Sequence, residues 1–485
     1  MRYAALSYCW GQDKAVTTTK ENLEFHKKRV EYSSLPKTFQ DAIVVAQKLD
    51  VSFLWIDSLC IVQDDEDDWD TECLRMGEYY QNSYVTISAL SASGSSEGFL
   101  YLRPETPAMR LFENSTSYIR PVIKFDRRKI FEGAALSQRG WTLQERLLST
   151  RILHYSTYEM FWECKTCSAR EGSAKEHIDP VDSRSLGNSE GDDFKRVLQH
   201  MDGNPYSPSH GAFAVWYRLV RQYSRRSLSR SSDRLPAISA LAALFTTTTG
   251  CNYIAGLWAQ DSQGLLWLKD RSQSHADTYH SYSREPEHYR APSWSWAAVD
   301  GPVVFAWYDE ERTFSANDAT ITHQSVVPQG SSKFGAVLSG SLTLRALSKK
   351  VQCLPKSWSP PKSFINGYVR EHCKLDDRYY QVGVPIGRYS LSIFDEVGKH
   401  FGFGRCDDEV LDALLVECVA VWIGEYIYDG RTPAKAVYFL LIVPDEDEPE
   451  KWRRVGLGVT KDDPSFQGFF TTVFDCYEWK EFVLV

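Results

Sequence analysis

Three short runs near the amino terminus constrain the fold more tightly than anything else in the chain. Tyr3-Ala4-Ala5-Leu6-Ser7-Tyr8 reads as a buried strand, broken at Trp10-Gly11-Gln12-Asp13, where glycine permits a sharp turn or a close backbone approach to a ligand. Leu35-Pro36-Lys37-Thr38-Phe39 opens a helix with Pro36 in its first turn and with Phe39, Ile43 and Ala46 on the packed side. Val51 to Ile56 is a second core strand that ends at Asp57-Ser58. Strand, helix, strand is a βαβ unit, which demands a parallel sheet. In such sheets ligands sit at the carboxyl ends of the strands, beside the first strand's loop.

The acidic run Asp64, Asp65, Glu66, Asp67, Asp68 leads into Trp69, Cys73, Met76 and Tyr80, the buried stripe of a second helix whose dipole the acids complement. A calcium loop fails on spacing, because Trp69 stands where an EF-hand turn needs glycine. Tyr84 to Ala89 makes a third strand, 91–137 a Gly/Ser-rich and then strand-like insertion, and Arg151 to Tyr155 a fourth strand. Between the last two lies Arg139-Gly140-Trp141-Thr142-Leu143-Gln144-Glu145-Arg146-Leu147-Leu148, which at helical spacing puts Glu145 beside Trp141 on a packing face. A carboxylate there is either satisfied by a buried partner, such as Arg146, or used for chemistry.

With 485 residues, 43% hydrophobic and 25% charged, the chain is long enough for two or three domains. Its net charge of -9 argues against nucleic acid as a partner. No apolar run is long enough to span a membrane and the first residues do not read as a signal peptide, so a cytoplasmic protein is expected. The 11 cysteines lack a regular framework and suit a reducing compartment. Cys164 and Cys167 form a Cys-x-x-Cys pair without a second pair to complete a tetrahedral site, so no metal is assigned. His154 reads as a core or rim histidine, and Cys9 and Cys60 as inert thiols in apolar strand-like surroundings.

Residues 168–193 read as a polar linker, Ala212 to Tyr223 and Asp233 to Phe245 as helices, and the arginines at 221, 225, 226, 230 and 234 as a solvated turn or an anion-facing surface. Strand-like runs follow at 340–346, 414–422, 437–443 and 482–485, with a surface acid cluster at 445–450.

Four blocks carry a resemblance. Ala5 to Gly11, Leu35 to Ala42, Leu54 to Asp64 and Arg139 to Arg146, followed by Phe161-Trp162-Glu163-Cys164, resemble the fungal heterokaryon-incompatibility (HET) domain over roughly residues 3–167. Later runs such as Asp233-Arg234-Leu235-Pro236 and Arg290-Ala291-Pro292-Ser293-Trp294-Ser295-Trp296 are similar to segments that trail that domain. The first block starts almost at residue 1, where members carry a leading segment, so a short form or a trimmed start is expected. The family is associated with allorecognition and programmed cell death.

HET domains in turn resemble TIR domains, here through Ser7-Tyr8, Ile56-Asp57, and Trp141 with Glu145. The residue patterns beyond 170 read as an α+β, strand-rich remainder, divided into a mainly helical, Trp-rich region (171–300) and a β-rich region (301–485), and that resemblance implies an α/β, TIR-like (flavodoxin-like) parallel-sheet domain over 1–170 ahead of them. It implies hydrolysis of NAD(P)+ as a substrate with no required cofactor, and makes Glu145 the catalytic carboxylate. Trp10 and Trp141 would offer aromatic faces, Gly11 a backbone approach to phosphates, Arg139 or Arg146 their neutralisation, and Asp57 and Ser7 further ligand contacts. Each has a structural counterpart: the two tryptophans as core, Arg146 as partner of Glu145, Ser7 as a turn cap. The implied partners are a second copy of the chain or an incompatibility or NLR-like signalling protein. The rival function is a non-catalytic module that recruits proteins through the HET surface.

Overall fold

The computed structural model describes residues 2–11, 16–101, 109–110, 112, 118–119, 127–171, 212–270, 288–305, 312–315, 319–355, 391–395, 400–406, 416–428, 434–461 and 478–485. The chain divides into two compact units, Met1–His200 with Arg226–Leu228, and Met201–Arg225 with Ser229–Val485.

The first unit is built on the expected βαβ frame. Strand β1 (Tyr3–Ser7) leads to helix α1 (Lys37–Lys48), strand β2 (Phe53–Trp55), helix α2 (Glu66–Asn82) and strand β3 (Val85–Ser88). A short helix α3 (Arg127–Gly133) and helix α4 (Thr142–Leu148) precede β4 (Arg151–Tyr155), β5 (Met160–Cys164) and β6 (Ser168–Arg170). The six strands run in the order β2-β1-β3-β4-β5-β6. The first four are mutually parallel, β5 pairs antiparallel with β4, and β6 pairs antiparallel with β5. The chain moves outward in both directions from β1, so the strand order reverses between β1 and β3, a topological switch point that leaves a crevice at the carboxyl ends.

Alternation along β1 explains why both faces are covered. Ala4 and Leu6 pack with Phe39, Ala42, Val45 and Ala46 of α1, while Ala5 packs on the opposite face with Trp55, Met76 and Tyr80. The acids open α2 as the dipole requires, and two of the run bind backbone: Asp68 accepts from Val62 N–H and Asp64 from Lys20 N–H.

Two local expectations change. The insertion does not stay strand-like: its end forms α3 and the 3-10 turn Ala135–Gln138, although Met109–Arg110 and Tyr118–Ile119 do pair. Ser168–Arg170, expected as the start of a linker, is the edge strand β6, because its neighbour β5 offers an open row of backbone groups. The rest of that linker, Gln12 and Asp13 lie outside the described residues.

In the second unit, helix α5 (Ala212–Tyr223) stands where expected. The next one does not: Ser231–Arg234 and Pro236–Ile238 are 3-10 turns, and α6 runs Ser239–Thr249, since Pro236 has no N–H to continue a helical ladder. Trp216, Trp258, Trp267, Trp294 and Trp296 are fully buried and form the centre of this unit. The arginine tract is not a uniform solvated turn: Arg234 is buried and donates to Gly301 O at 2.6 Å.

The strand-rich region contains a closed ring. Strands β7 (Val337–Pro355), β8 (Leu391–Asp395), β9 (His400–Cys406), β10 (Val416–Tyr428), β11 (Ala434–Pro444) and β12 (Trp452–Lys461) pair antiparallel in the cycle β7-β8-β9-β12-β11-β10-β7. Closure removes the unpaired edges that open sheets leave. Buried Arg454 of β12 ties the barrel to the tryptophan core, lying 3.6 Å over the Trp267 ring and donating to Leu265 O at 2.8 Å.

Asp41 of α1 fixes the loop that follows β3. Its buried carboxylate accepts from Phe99 N–H at 2.8 Å and Leu100 N–H at 3.0 Å and also meets Lys37. Asp41→Ala orphans one buried and one part-buried donor and should cost about 1–3 kcal/mol in chemical unfolding, with a lowered midpoint and an unchanged slope.

Candidate functional site

The site forms where β1 reaches the switch point. Register places Ser7 beside Ser88 and Ser88 beside His154, so three polar residues line one row across β1, β3 and β4 near their carboxyl ends. Such a row inside an otherwise apolar sheet needs partners. His154 Nδ1 meets Ser88 Oγ at 3.0 Å, its Nε2 lies 3.3 Å from Glu163, and Ser7 Oγ donates to Glu145 Oε2 at 2.6 Å.

Helix α4 brings Glu145 to this row. Gly140 N–H donates to Ser227 O at 2.8 Å, and the Thr142 hydroxyl donates to Leu136 O at 2.6 Å, which fixes the entry to the helix. Leu143, Leu147 and Leu148 are buried around it, and the Ser149 hydroxyl donates to Glu145 O at 2.6 Å. Glu145 is only 6% exposed.

Burial pushes the Glu145 carboxyl up to about 7, against the pull of the Ser7 hydrogen bond, the Arg139 charge and the Tyr80 hydroxyl, while the nearby Asp57 charge adds to the rise. Asp57, half-buried at the end of β2, is also raised by burial, and is opposed first by the indole N–H of Trp10, which donates to it at 2.9 Å. Arg139 supplies a positive charge felt by both carboxyls, and its Nη1 donates to Tyr8 O at 2.6 Å. Ser7, Trp10, Asp57, Arg139 and Glu145 thus form one electrostatic cluster. It can keep a proton on Glu145 up to about neutrality and, once ionised, stabilise a positive charge placed against it.

Three other sequence candidates are engaged elsewhere. Gly11 has φ +79°, and a Cβ there would meet Gly94 Cα at 2.8 Å, so its close neighbour is protein backbone. Trp141 packs edge-on against Trp69 at 6.5 Å in the cluster of Trp55, Met76 and Tyr80. Arg146 grips Glu163, Nε to Oε2 at 3.0 Å and Nη2 to Oε1, with its guanidinium 4.2 Å over the Phe131 ring; it is not the ion-pair partner of Glu145.

A crevice with about 10 Å3 of free space, room for a single water, is lined by Ser7, Ser88, Thr142, Arg146, His154 and Arg226 among others. Sequence reasoning missed Ser88, Glu163, Tyr80 and Arg226. The available signal was that three parallel strands each end in a polar residue, Ser7, Ser88 and His154; nothing in the spacing announces that Arg226 Nη1 donates to Arg139 O and Thr142 Oγ1 at 3.2 Å. Gly94-Ser95-Ser96-Glu97-Gly98 has the spelling of a hydrolase nucleophile elbow, yet both glycines serve packing, Gly94 against Gly11 and Gly98 against Asp41 and Lys37, and the described residues that follow directly, 99–101, are not helical. Among the described residues no group of three or more His, Cys, Asp or Glu side chains could hold a metal ion. No helix among them is long and apolar enough to cross a membrane.

Comparison with curated proteins and with solved structures found no match. The family model described as heterokaryon incompatibility protein (HET) matches residues 3–145, a span that starts at β1, takes in Ser7, Trp10, Asp57 and Arg139, and ends on Glu145; over those residues the chain carries a HET domain.

Proposed function

We propose that this HET domain acts in heterokaryon incompatibility and cell death as a cytoplasmic NAD(P)+ hydrolase that uses Glu145, in the manner of the TIR domains it resembles. A HET domain implies the role in incompatibility. The observation that carries the enzymatic part is a buried carboxyl raised to about 7, hydrogen-bonded by Ser7 at the carboxyl end of β1 beside the strand-order reversal.

The reaction breaks the bond between nicotinamide nitrogen and the ribose anomeric carbon. The bond pair leaves with nicotinamide, which becomes neutral, and the sugar passes through an oxocarbenium-like state until water adds and releases a proton. Ionised Glu145 would stabilise that positive charge in a setting of low polarity, where a fixed carboxylate exceeds water in effect. Ser7 positions the carboxylate, Asp57 addresses a ribose hydroxyl, and Arg139 balances the pair and meets phosphate.

The second reading, a non-catalytic module that recruits partner proteins, is favoured by one observation: Glu145 is 6% exposed and the neighbouring crevice has room for no more than a single water. The resemblance to TIR domains also allows a site completed across a contact between two copies, so the assay belongs at high protein concentration.

The concentrated 485-residue chain incubated with NAD+ should release nicotinamide, and Glu145→Gln should lower the rate by roughly 10²-fold or more, with Ser7→Ala falling less. Equal rates for the wild-type chain and Glu145→Gln, or no release at any concentration, would leave the recruiting module as the surviving account. Because Glu145 acts ionised, the rate should rise with pH through about 7.

Stability should run the other way. The folded state holds the Glu145 proton up to about 7, whereas the unfolded chain releases it near 4.5, so stability falls as pH rises from about 4.5 and levels off above about 7. A rise of this size is worth on the order of 3 kcal/mol. Glu145→Gln should therefore raise the melting temperature at pH 8 and lose that advantage at pH 4, as followed by circular dichroism; a gap that does not narrow on acidification would contradict the raised carboxyl.

A further inference from the structure

The hairpin joining β5 to β6 turns on Lys165 and Thr166, and both residues flanking the turn are cysteines. Glu163 pairs with Ser168, so Cys164 and Cys167 stand opposite each other, with Cys164 N–H donating to Cys167 O at 2.9 Å. Opposed residues of an antiparallel pair have Cα atoms about 4.5–5.5 Å apart, which lies within the roughly 4.4–6.8 Å that a disulfide spans. The sulfurs are 3.5 Å apart as thiols, and both residues are partly exposed on a turn whose two central residues face solvent.

The thiols of the chain are not equivalent. Burial alone would raise Cys164, but the Thr166 hydroxyl and the backbone N–H groups of Thr166 and Cys167 outweigh it and bring the thiol down to about 7. Cys9 is buried and raised, and Cys60, although exposed as a residue, carries a thiol raised by burial.

We propose that Cys164 and Cys167 form a reversible dithiol–disulfide site that exchanges with small-molecule disulfides of the glutathione type. The Cys164 thiolate attacks one sulfur of the small disulfide, forming a mixed disulfide and expelling one thiolate, which takes up a proton. Cys167 then loses its proton and attacks the Cys164 sulfur, forming the intramolecular bond and expelling the second thiol. The protein is oxidised by two electrons and the small disulfide is reduced to two thiols. Cys164 directly follows Glu163, the carboxylate that holds Arg146, so the cross-link closes the strand end that anchors α4. None of this depends on Glu145 being catalytic.

The test is to incubate the full chain with oxidised glutathione at neutral pH and map its peptides by mass spectrometry. The peptide spanning residues 164–167 should lose two hydrogens and regain them with dithiothreitol. Cys167→Ser should stop at a glutathione adduct on Cys164, and Cys164→Ser should leave Cys167 reacting at least about tenfold more slowly. Should the two single variants react alike, or the hairpin stay reduced while Cys60 is modified, the proposal is overturned. Iodoacetamide labelling of the unsubstituted chain gives a check free of folding effects: Cys164 should be alkylated about tenfold faster than Cys9 and Cys60, and equal rates would overturn it too.

Discussion

The 2.6 Å hydrogen bond from Ser7 to Glu145 joins the first strand to a helix 138 residues later, and the arrangement of the sheet's carboxyl edge depends on it. A carboxyl at this depth loses most of its hydration, and one hydroxyl restores only part of it. The chain responds in two ways. It raises the carboxyl toward neutrality, and it gathers Tyr80, Arg139 and the row of Ser88 and His154 around the same edge. The apolar packing of α1 and α2 makes the sheet; the polar row gathers its buried hydrogen-bonding groups at one edge.

How much of this was legible depends on how far apart the partners lie. The parallel frame was readable because each of its elements carries its own signal: the buried run of β1, Pro36 at the start of α1, the four-three-four stripe of α2. Glu145 was readable as a carboxylate beside an aromatic, since helical spacing is local. The Trp10–Asp57 bond was not, because it joins two loops 47 residues apart, and neither was the pairing of Arg146 with Glu163. Spacing alone favoured Glu145 as the partner of Arg146, yet neighbours in a helix point about 100° apart, and the arginine reaches β5 instead. In the second unit the strand-rich pattern was visible, but closure of six strands into a ring is a matter of pairing order, which alternation does not encode.

Two other buried acids show what a structural carboxylate looks like in this fold. Glu163 receives the two-pronged grip of Arg146, a full positive charge in fork geometry. Asp41 receives two backbone N–H groups and Lys37. Glu145 is met by hydroxyls, with Arg139 felt at a distance and Asp57 working against it. The chain had a guanidinium adjacent in sequence and directed it to Glu163. An acid kept only for stability would gain from that cation, because an unpaired buried charge destabilises the fold by several kcal/mol. Leaving Glu145 without it keeps a carboxyl that can gain or lose a proton near neutrality at modest cost, and this under-compensation, more than burial, sets its electrostatics apart from those of Glu163 and Asp41.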